Sequence, residues 1–417
     1  MAATDGGASL VTRVLDTARG NYIAIAGVVS VGIGIALLRQ LVSGGVCRSK
    51  ARLNGKFAIV TGANTGIGKE TAMDLALRGA RVLLACRDPL KGMAAADDIF
   101  KTSGQKLMVK TLDLSDLDSV RQFAKDINDE EPQLDILVNN AGVMMCPKML
   151  SKQGYELQFA TNHLGHFLLT NLLLGLIQRS APSRIVVVSS GIYKKGNINF
   201  DDINSEQEYS PYGAYAQSKV ANILFANELA KKLKGTGVTV NSLHPGVIAS
   251  DLARHIEDRI PRILQFFIKP LYLLVQALTF KTVQQGAQTS ICCAVAQELE
   301  GVTGKYFSDC TETKLLPHAT DEDAARRLWR LSEEMTGLGT GGDNSEKGSK
   351  TTFNCAEPSC EDKKTETETE SQGTETKSGS NRRLFECVDN SSCSAAGDVL
   401  VKMWMHQDSI AETIRSL

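Results

Sequence analysis

The first long apolar run, residues 22–38 (YIAIAGVVSVGIGIALL), contains no charge and no proline. Its length is near the lower limit for a membrane-spanning helix, which needs roughly 17–25 apolar residues. Beyond it the pattern changes to short apolar runs alternating with stretches of helical spacing. Residues 56–61 (KFAIVT), 81–85 (RVLLA), 106–112, 135–138, 184–189 (RIVVVS) and 238–243 read as buried strands. Residues 68–78, 117–127, 159–177, 214–233, 286–296 and 324–335 read as helices. This alternation predicts an α/β chain with a Rossmann-like, doubly wound parallel sheet covered on both faces, joined by right-handed connections.

The same pattern divides the chain. An N-terminal segment (1–21) precedes a membrane anchor (22–42), a basic linker (43–54), one catalytic domain (55–338) and a tail (339–417). A cleaved signal peptide competes with the anchor, with the small residues Ser43, Gly44 and Gly45 offering a cleavage site. Arg39, Arg48, Lys50, Arg52 and Lys56 follow the apolar run, whereas Arg13 and Arg19 precede it. That asymmetry orients the later residues toward the cytosol. Residues 260–280 are strongly apolar and are broken by Pro261 and Pro270. They read either as a buried pair of short helices or as a lid over a greasy pocket that touches the bilayer. The tail, with its TETETE stretch at 365–370, cannot bury enough apolar surface to order itself. Residues 398–417 hold a weak amphipathic pattern.

Composition removes several classes of function. The net charge of -1 gives no basic field for nucleic acid. The ten cysteines form no C-x-x-C pair, which argues against zinc or a secreted disulfide framework and for reduced thiols. His163 and His166 lack a partner at metal-ligand spacing and read as structural.

Five features carry chemistry. Gly62, Asn64, Thr65, Gly66, Ile67 and Gly68 lie in TGANTGIG, between a strand and a helix. There glycines admit a pyrophosphate and the helix N-terminus attracts it. Arg87, past the second strand, can neutralise the 2′-phosphate of NADP(H), so that cofactor is preferred and NAD(H) remains possible. Asp88 beside it complicates that reading. Tyr215 and Lys219 share a helix face at i,i+4 spacing, where the ammonium is expected to lower the phenol pKa into the range of acid–base work. Ser189 and Ser190 end the RIVVVS strand, where a hydroxyl can hold a substrate oxygen. Asn162 interrupts an apolar helix and is a candidate for holding water.

Together these residues resemble the short-chain dehydrogenase/reductase family. TGANTGIG, Asn139-Asn140-Ala141-Gly142, Ser190, Tyr215-x-x-x-Lys219 and His244-Pro245-Gly246-Val247 occur in that family's order over residues 55–338. LACRD, NHLGHFLLT, the long Ser-to-Tyr insert and AQSKVANILFANELA make the chain similar to the microsomal retinol dehydrogenase group and its neighbours. The resemblance implies Tyr215 as general acid/base, with Lys219 tuning it and holding the nicotinamide ribose. It further implies Ser190, rather than Ser189, on the substrate oxygen and Asn162 on a relay water. Asn140 and the segment after Asp113 would line the cofactor, and Pro245, Gly246 and Val247 would flank the nicotinamide. The expected protein is an oxidoreductase of the endoplasmic reticulum membrane, facing the cytosol, acting on a hydrophobic retinal- or retinol-like small molecule. A steroid or lipid-carbonyl reductase, or a membrane-tethered scaffold of the same fold, are the alternatives. The acidic, Thr-rich tail departs from the short ending of most retinol dehydrogenases, and oligomeric state stays open.

Overall fold

The structure is a computed structural model, and it describes residues 5–248, 273 and 275–338. The chain divides into two units, Met1–Thr340 and Gly341–Leu417, and the second lies outside the described residues. So do the tail and most of the 260–280 segment expected to form a lid or helix pair. Of that segment, 275–279 are helical.

Eight strands form one sheet: β1 (Phe57–Thr61), β2 (Arg81–Cys86), β3 (Met108–Thr111), β4 (Ile136–Asn139), β5 (Ser183–Val188), β6 (Val238–His244), β7 (Tyr306–Ser308) and β8 (Thr311–Glu312). Their spatial order is β3-β2-β1-β4-β5-β6-β7-β8. The first seven run parallel, so the doubly wound sheet expected from the pattern is present. The edge departs from it. β8 pairs antiparallel with β7 through a tight turn at Asp309–Cys310, in a stretch too short and polar to show periodicity.

Strand pleating explains how both faces are covered. Phe57 and Ile59 join one core with residues of the helices α4 (Leu117–Glu130) and α6 (Gly165–Arg179). Ala58 and Val60 point the other way, into a core with α2 (Gly66–Leu77), α3 (Pro89–Ser103) and α8 (Val283–Val295). Each fully buried large side chain there contributes roughly 1.5–3 kcal/mol. Helix α3 is not among the helices that hydrophobic spacing predicts, but Asp88 marks its start. Its carboxylate accepts from the Leu90 and Lys91 N–H groups, with Pro89 at the first turn.

Two further helices complete the frame: α7 (Pro211–Lys232) and α9 (Glu322–Thr336). The helix expected over 159–177 is not continuous. A short α5 (Leu157–Phe159) runs into a π turn at Ala160–Leu164 before α6 begins. At the N-terminus, α1 (Asp5–Ser43) extends well before the apolar run. Within it, Ile25–Ser43 is the one segment among the described residues long and apolar enough to cross a membrane, and none of it is buried.

Because β4 lies beside β1, strand order reverses between them. Loops leaving adjacent carboxyl ends diverge at such a point and open the crevice where open α/β sheets bind ligands.

Candidate active site

The glycine turn leaves β1 at this crevice. Gly62 has φ +63, and a Cβ there would lie 2.8 Å from Ala141 Cα. Gly68 meets the turn from the helix side, where a Cβ would come within 2.6 Å of the Gly62 carbonyl oxygen and would strike Asn140 Nδ2. Gly66, at φ +60, faces open space. Thr65 is the N-cap of α2, so the helix start carries the unpaired N–H groups that attract an anion. Ile67 differs in kind: its side chain packs toward Gly286 of α8, leaving its backbone to the turn. Asn64 lies in the same turn, half-buried.

Asn140, just past β4, braces this turn. Its Nδ2 donates to Thr61 O at 2.7 Å, and its own N–H donates to Thr61 Oγ1 at 2.9 Å. Asn140 Oδ1 is buried without a protein partner. Turn, open helix start and orphaned amide oxygen are the features a dinucleotide would complete, so the residues present fit such a cofactor.

The proton-handling groups lie on α7 and just beyond the end of β5. Lys219 and Tyr215 are almost wholly buried on α7. Lys219 Nζ donates to Val188 O at 3.2 Å and stands 5.6 Å from the Tyr215 ring centre. The two serines separate clearly. Ser189 Oγ donates to Lys219 O at 2.7 Å and pins α7 to β5, whereas the Ser190 side chain faces Tyr215. His244 belongs to a family motif but carries no role in the catalytic set expected from the sequence. It fixes the segment after Ser190: the Gly191 N–H donates to its Nδ1 at 2.9 Å.

Asn162 sits in the π turn. Its Oδ1 accepts from Val143 N–H at 2.8 Å, and its Nδ2 donates to Val143 O at 3.0 Å and to Ser218 Oγ at 2.9 Å. Its carbonyl oxygen lies 3.0 Å from His166 Nδ1, and His166 Nε2 lies 2.9 Å from Thr61 Oγ1. A carbonyl only accepts, so Nδ1 carries the proton and Nε2 accepts from the threonine hydroxyl. His166 thereby ties Asn162 to the strand residue that precedes the glycine turn. Its pKa is pushed down to about 4 by burial, so the neutral ring persists at neutral pH. Nothing but hydrogen bonding in three dimensions could reveal that role.

Gly142 closes the space between these groups. A Cβ there would lie 3.1 Å from Asn162 Oδ1 and 3.7 Å from Lys219 Nζ. Pro245, Gly246 and Val247 follow β6, with Gly246 at φ +93 packed against Lys281. Two expected cofactor residues stand differently. Asp113 spends its carboxylate on the Ser115 N–H and hydroxyl, at 2.9 and 2.6 Å, and so shapes the loop beyond β3. Arg87 is exposed at the carboxyl end of β2, while Asp88 is engaged by α3.

The electrostatics correct one expectation. Burial pushes the Tyr215 phenol up to about 12, with the Ser190 hydrogen bond acting in the opposite sense. The ammonium does not lower it below its ordinary value, because Lys219 Nζ is turned to Val188 O and is itself desolvated. Burial brings Lys219 down to about 8 from 10.5. Between these values the unfolded chain binds more protons than the folded one, so this group's contribution to stability rises with pH through that window. Lys219→Met is expected to raise the melting temperature of the cofactor-free protein at pH 7, with the gain shrinking toward pH 10. A gain that stays constant with pH would show that volume, not charge, is responsible.

Comparison with known proteins places this arrangement. A family model described as short chain dehydrogenase matches residues 56–261. Human retinol dehydrogenase 14 is 51% identical over 300 residues, covering 69% of this chain and 88% of the relative. The chain belongs to the short-chain dehydrogenase family. Human retinol dehydrogenase 12 is 50% identical over 302 residues, covering 72% of this chain and 92% of its own length. Among solved structures, an uncharacterised protein from Mycobacterium paratuberculosis aligns with a TM-score of 0.56 at 34% identity, covering 70% of this chain and 98% of that one. As a short-chain dehydrogenase the protein is an oxidoreductase whose fold takes an NAD(P)-type nucleotide.

Proposed function

We propose that this protein transfers hydride between NADP(H) and the carbonyl or alcohol of a hydrophobic, retinal- or retinol-like substrate at a membrane surface. The observation that carries the reading is the convergence of Tyr215, Lys219, Ser190 and Asn162 beside the glycine turn. Bound NADP(H) would supply or accept the hydride. Tyr215 exchanges the proton with the substrate oxygen, and Ser190 orients that oxygen. Lys219 holds the ribose hydroxyls, and the π turn holds Asn162 for a relay water. Gly62, Gly66, Gly68 and the α2 N-terminus receive the pyrophosphate, and Asn140 and Pro245–Val247 enclose the nicotinamide.

NADP(H) is preferred because Arg87 is exposed where a 2′-phosphate would arrive, and because the neighbouring carboxylate of Asp88 is occupied as a helix cap. Similarity to retinol dehydrogenases supports the substrate class, and the exposed apolar Ile25–Ser43 segment supports an anchor. The basic residues after that segment favour a catalytic unit on the cytosolic side of the endoplasmic reticulum. Its protection from added protease in sealed microsomes would overturn that orientation.

The test is a turnover screen of the full chain in detergent, with NADPH and NADH, against retinals, steroids and aliphatic aldehydes. Retinal reduction with NADPH is expected, and turnover of steroids alone would favour the lipid-carbonyl alternative. Absence of turnover on all three would leave the scaffold reading. In the same screen Arg87→Asp should lower kcat/KM for NADPH about ten- to a hundredfold, the worth of a charge-assisted contact, and spare NADH. Equal losses with both cofactors would remove Arg87 from the 2′-phosphate.

A further inference from the structure

Three cysteines outside the catalytic groups meet where the linker, α8 and the β7–β8 turn come together. Cys292 is buried on α8, close enough to Cys47 and Cys310 for the three thiols to shift one another's pKa. Backbone contacts hold the outer two in place. The Cys47 N–H donates to Gln288 Oε1 at 3.0 Å, and the Cys310 N–H donates to Thr289 Oγ1 at 3.3 Å. Gln288, Thr289 and Cys292 are neighbours on one helix. Cys47 and Cys310 are only partly buried, and all three are free thiols.

The turn itself is strained. Asp309 and Cys310 are consecutive non-glycine residues at φ +53 and +61. A Cβ on Gly45 would lie 3.2 Å from Cys310 Cβ, so the linker packs directly over the turn.

We propose that Cys292 and Cys310 form an oxidation site, at which a hydroperoxide converts Cys310 to a sulfenic acid that Cys292 resolves to a disulfide. The Cys310 thiolate attacks the terminal oxygen of the peroxide, the O–O bond breaks, and the alkoxide or hydroxide leaves with a proton. Cys292 sulfur then displaces the sulfenic hydroxyl, which departs as water with the proton of the Cys292 thiol. Two thiols are oxidised by two electrons, and one hydroperoxide is reduced to an alcohol, or to water, plus one water. Cys47 can exchange into the bond through Cys292. Cys310 is the attacking sulfur because the hydrogen bonds from Cys292 and Thr289 hold its thiol below the ordinary value. The hydrogen bond with Cys310, together with burial, keeps the Cys292 thiol above its own.

The site has a route to the cofactor loop. Asp309, next to Cys310, is paired with Lys281. The Lys281 N–H donates to Val247 O at 2.8 Å, and its side chain packs against Gly246. Redrawing the turn around a disulfide moves Asp309 and loosens the contact behind Gly246. The expected consequence is weaker dinucleotide binding, a step that rests on the cofactor reading above.

The test treats full-length protein with hydrogen peroxide and maps peptides by mass spectrometry before and after dithiothreitol. A dithiothreitol-sensitive Cys292–Cys310 link is expected in the wild type and none in Cys310→Ser. Because Cys292→Ala could disturb the core, the variant at the less buried Cys310 decides. No link between these residues, a Cys310 oxidised without Cys292, or a Cys292 linked to another cysteine at the same yield in Cys310→Ser each overturns the site. NADPH affinity of the reduced protein is measured first, which separates failure of the cofactor reading. Oxidised wild type should then bind about fivefold or more weakly, the low end of ordinary coupling between sites. A complete disulfide with unchanged affinity overturns the coupling to the cofactor loop.

Discussion

Tyr215→Phe is expected to lower kcat about a hundred- to ten-thousandfold, the usual worth of a positioned acid or base, while NADPH affinity stays within a few-fold. Tyr215 is almost wholly buried, with the Ser190 side chain facing its hydroxyl. Phenylalanine keeps the ring that packs in this space and deletes only the hydroxyl. The stability cost is that of one hydrogen bond, about 1 kcal/mol, so folding is not the limiting event. The protonation state also sets a direction. With its pKa at about 12 in the cofactor-free protein, the phenol carries its proton throughout the neutral range. It is then ready to donate to a carbonyl oxygen, whereas alcohol oxidation requires the proton to leave first. Reduction should therefore persist at neutral pH and oxidation should gain as pH rises. Single-turnover hydride transfer, with cofactor fluorescence as the separate binding measure, checks both. A kcat within tenfold of the wild type would remove Tyr215 from the proton-transfer step.

The parts of this site that are legible in the sequence are those fixed by local chemistry. The strand β1 with its glycine turn is announced by an apolar run followed by glycines, because only glycine tolerates φ +63 against Ala141. The i,i+4 pair of Tyr215 and Lys219 is likewise a helical property, and the structure places both on α7. Long-range hydrogen bonds leave no such trace. Ser189 and Ser190 are alike in sequence, yet one holds the Lys219 carbonyl and the other meets Tyr215. Spacing alone puts Asn162 in a regular helix, but a π turn surrounds it, and hydrophobic spacing cannot distinguish one extra residue in a turn. His166 reads as structural, and its bonds to both Asn162 and Thr61 give that structure its purpose. The phenol pKa escapes the sequence for a related reason: spacing gives the proximity of a cation but not the burial that outweighs it.

Gly68 is where the fold and the cofactor site make the same demand. A methyl group there would collide with the Gly62 backbone carbonyl, 2.6 Å away, and with Asn140 Nδ2. Neither neighbour yields easily. Gly62 is held by its N–H bond to Ala85 O at 2.8 Å, and Asn140 by its bond to Thr61 O. Gly68→Ala must push α2 away from β1, at a cost of about 1–3 kcal/mol for overpacking. It also moves the helix N-terminus that would face the pyrophosphate. The expected result is a melting temperature lower by several degrees and an NADPH dissociation constant raised more than about tenfold, equivalent to ~1.4 kcal/mol. Gly104→Ala supplies the comparison. Gly104 ends α3 at φ +69 with nothing within 4 Å, so alanine there costs backbone strain alone, about 1 kcal/mol. That variant should lose stability while binding NADPH as the wild type does. If Gly104→Ala weakened the cofactor as much as Gly68→Ala, the loss would follow global stability, and the glycine turn would lose its assignment as the pyrophosphate site.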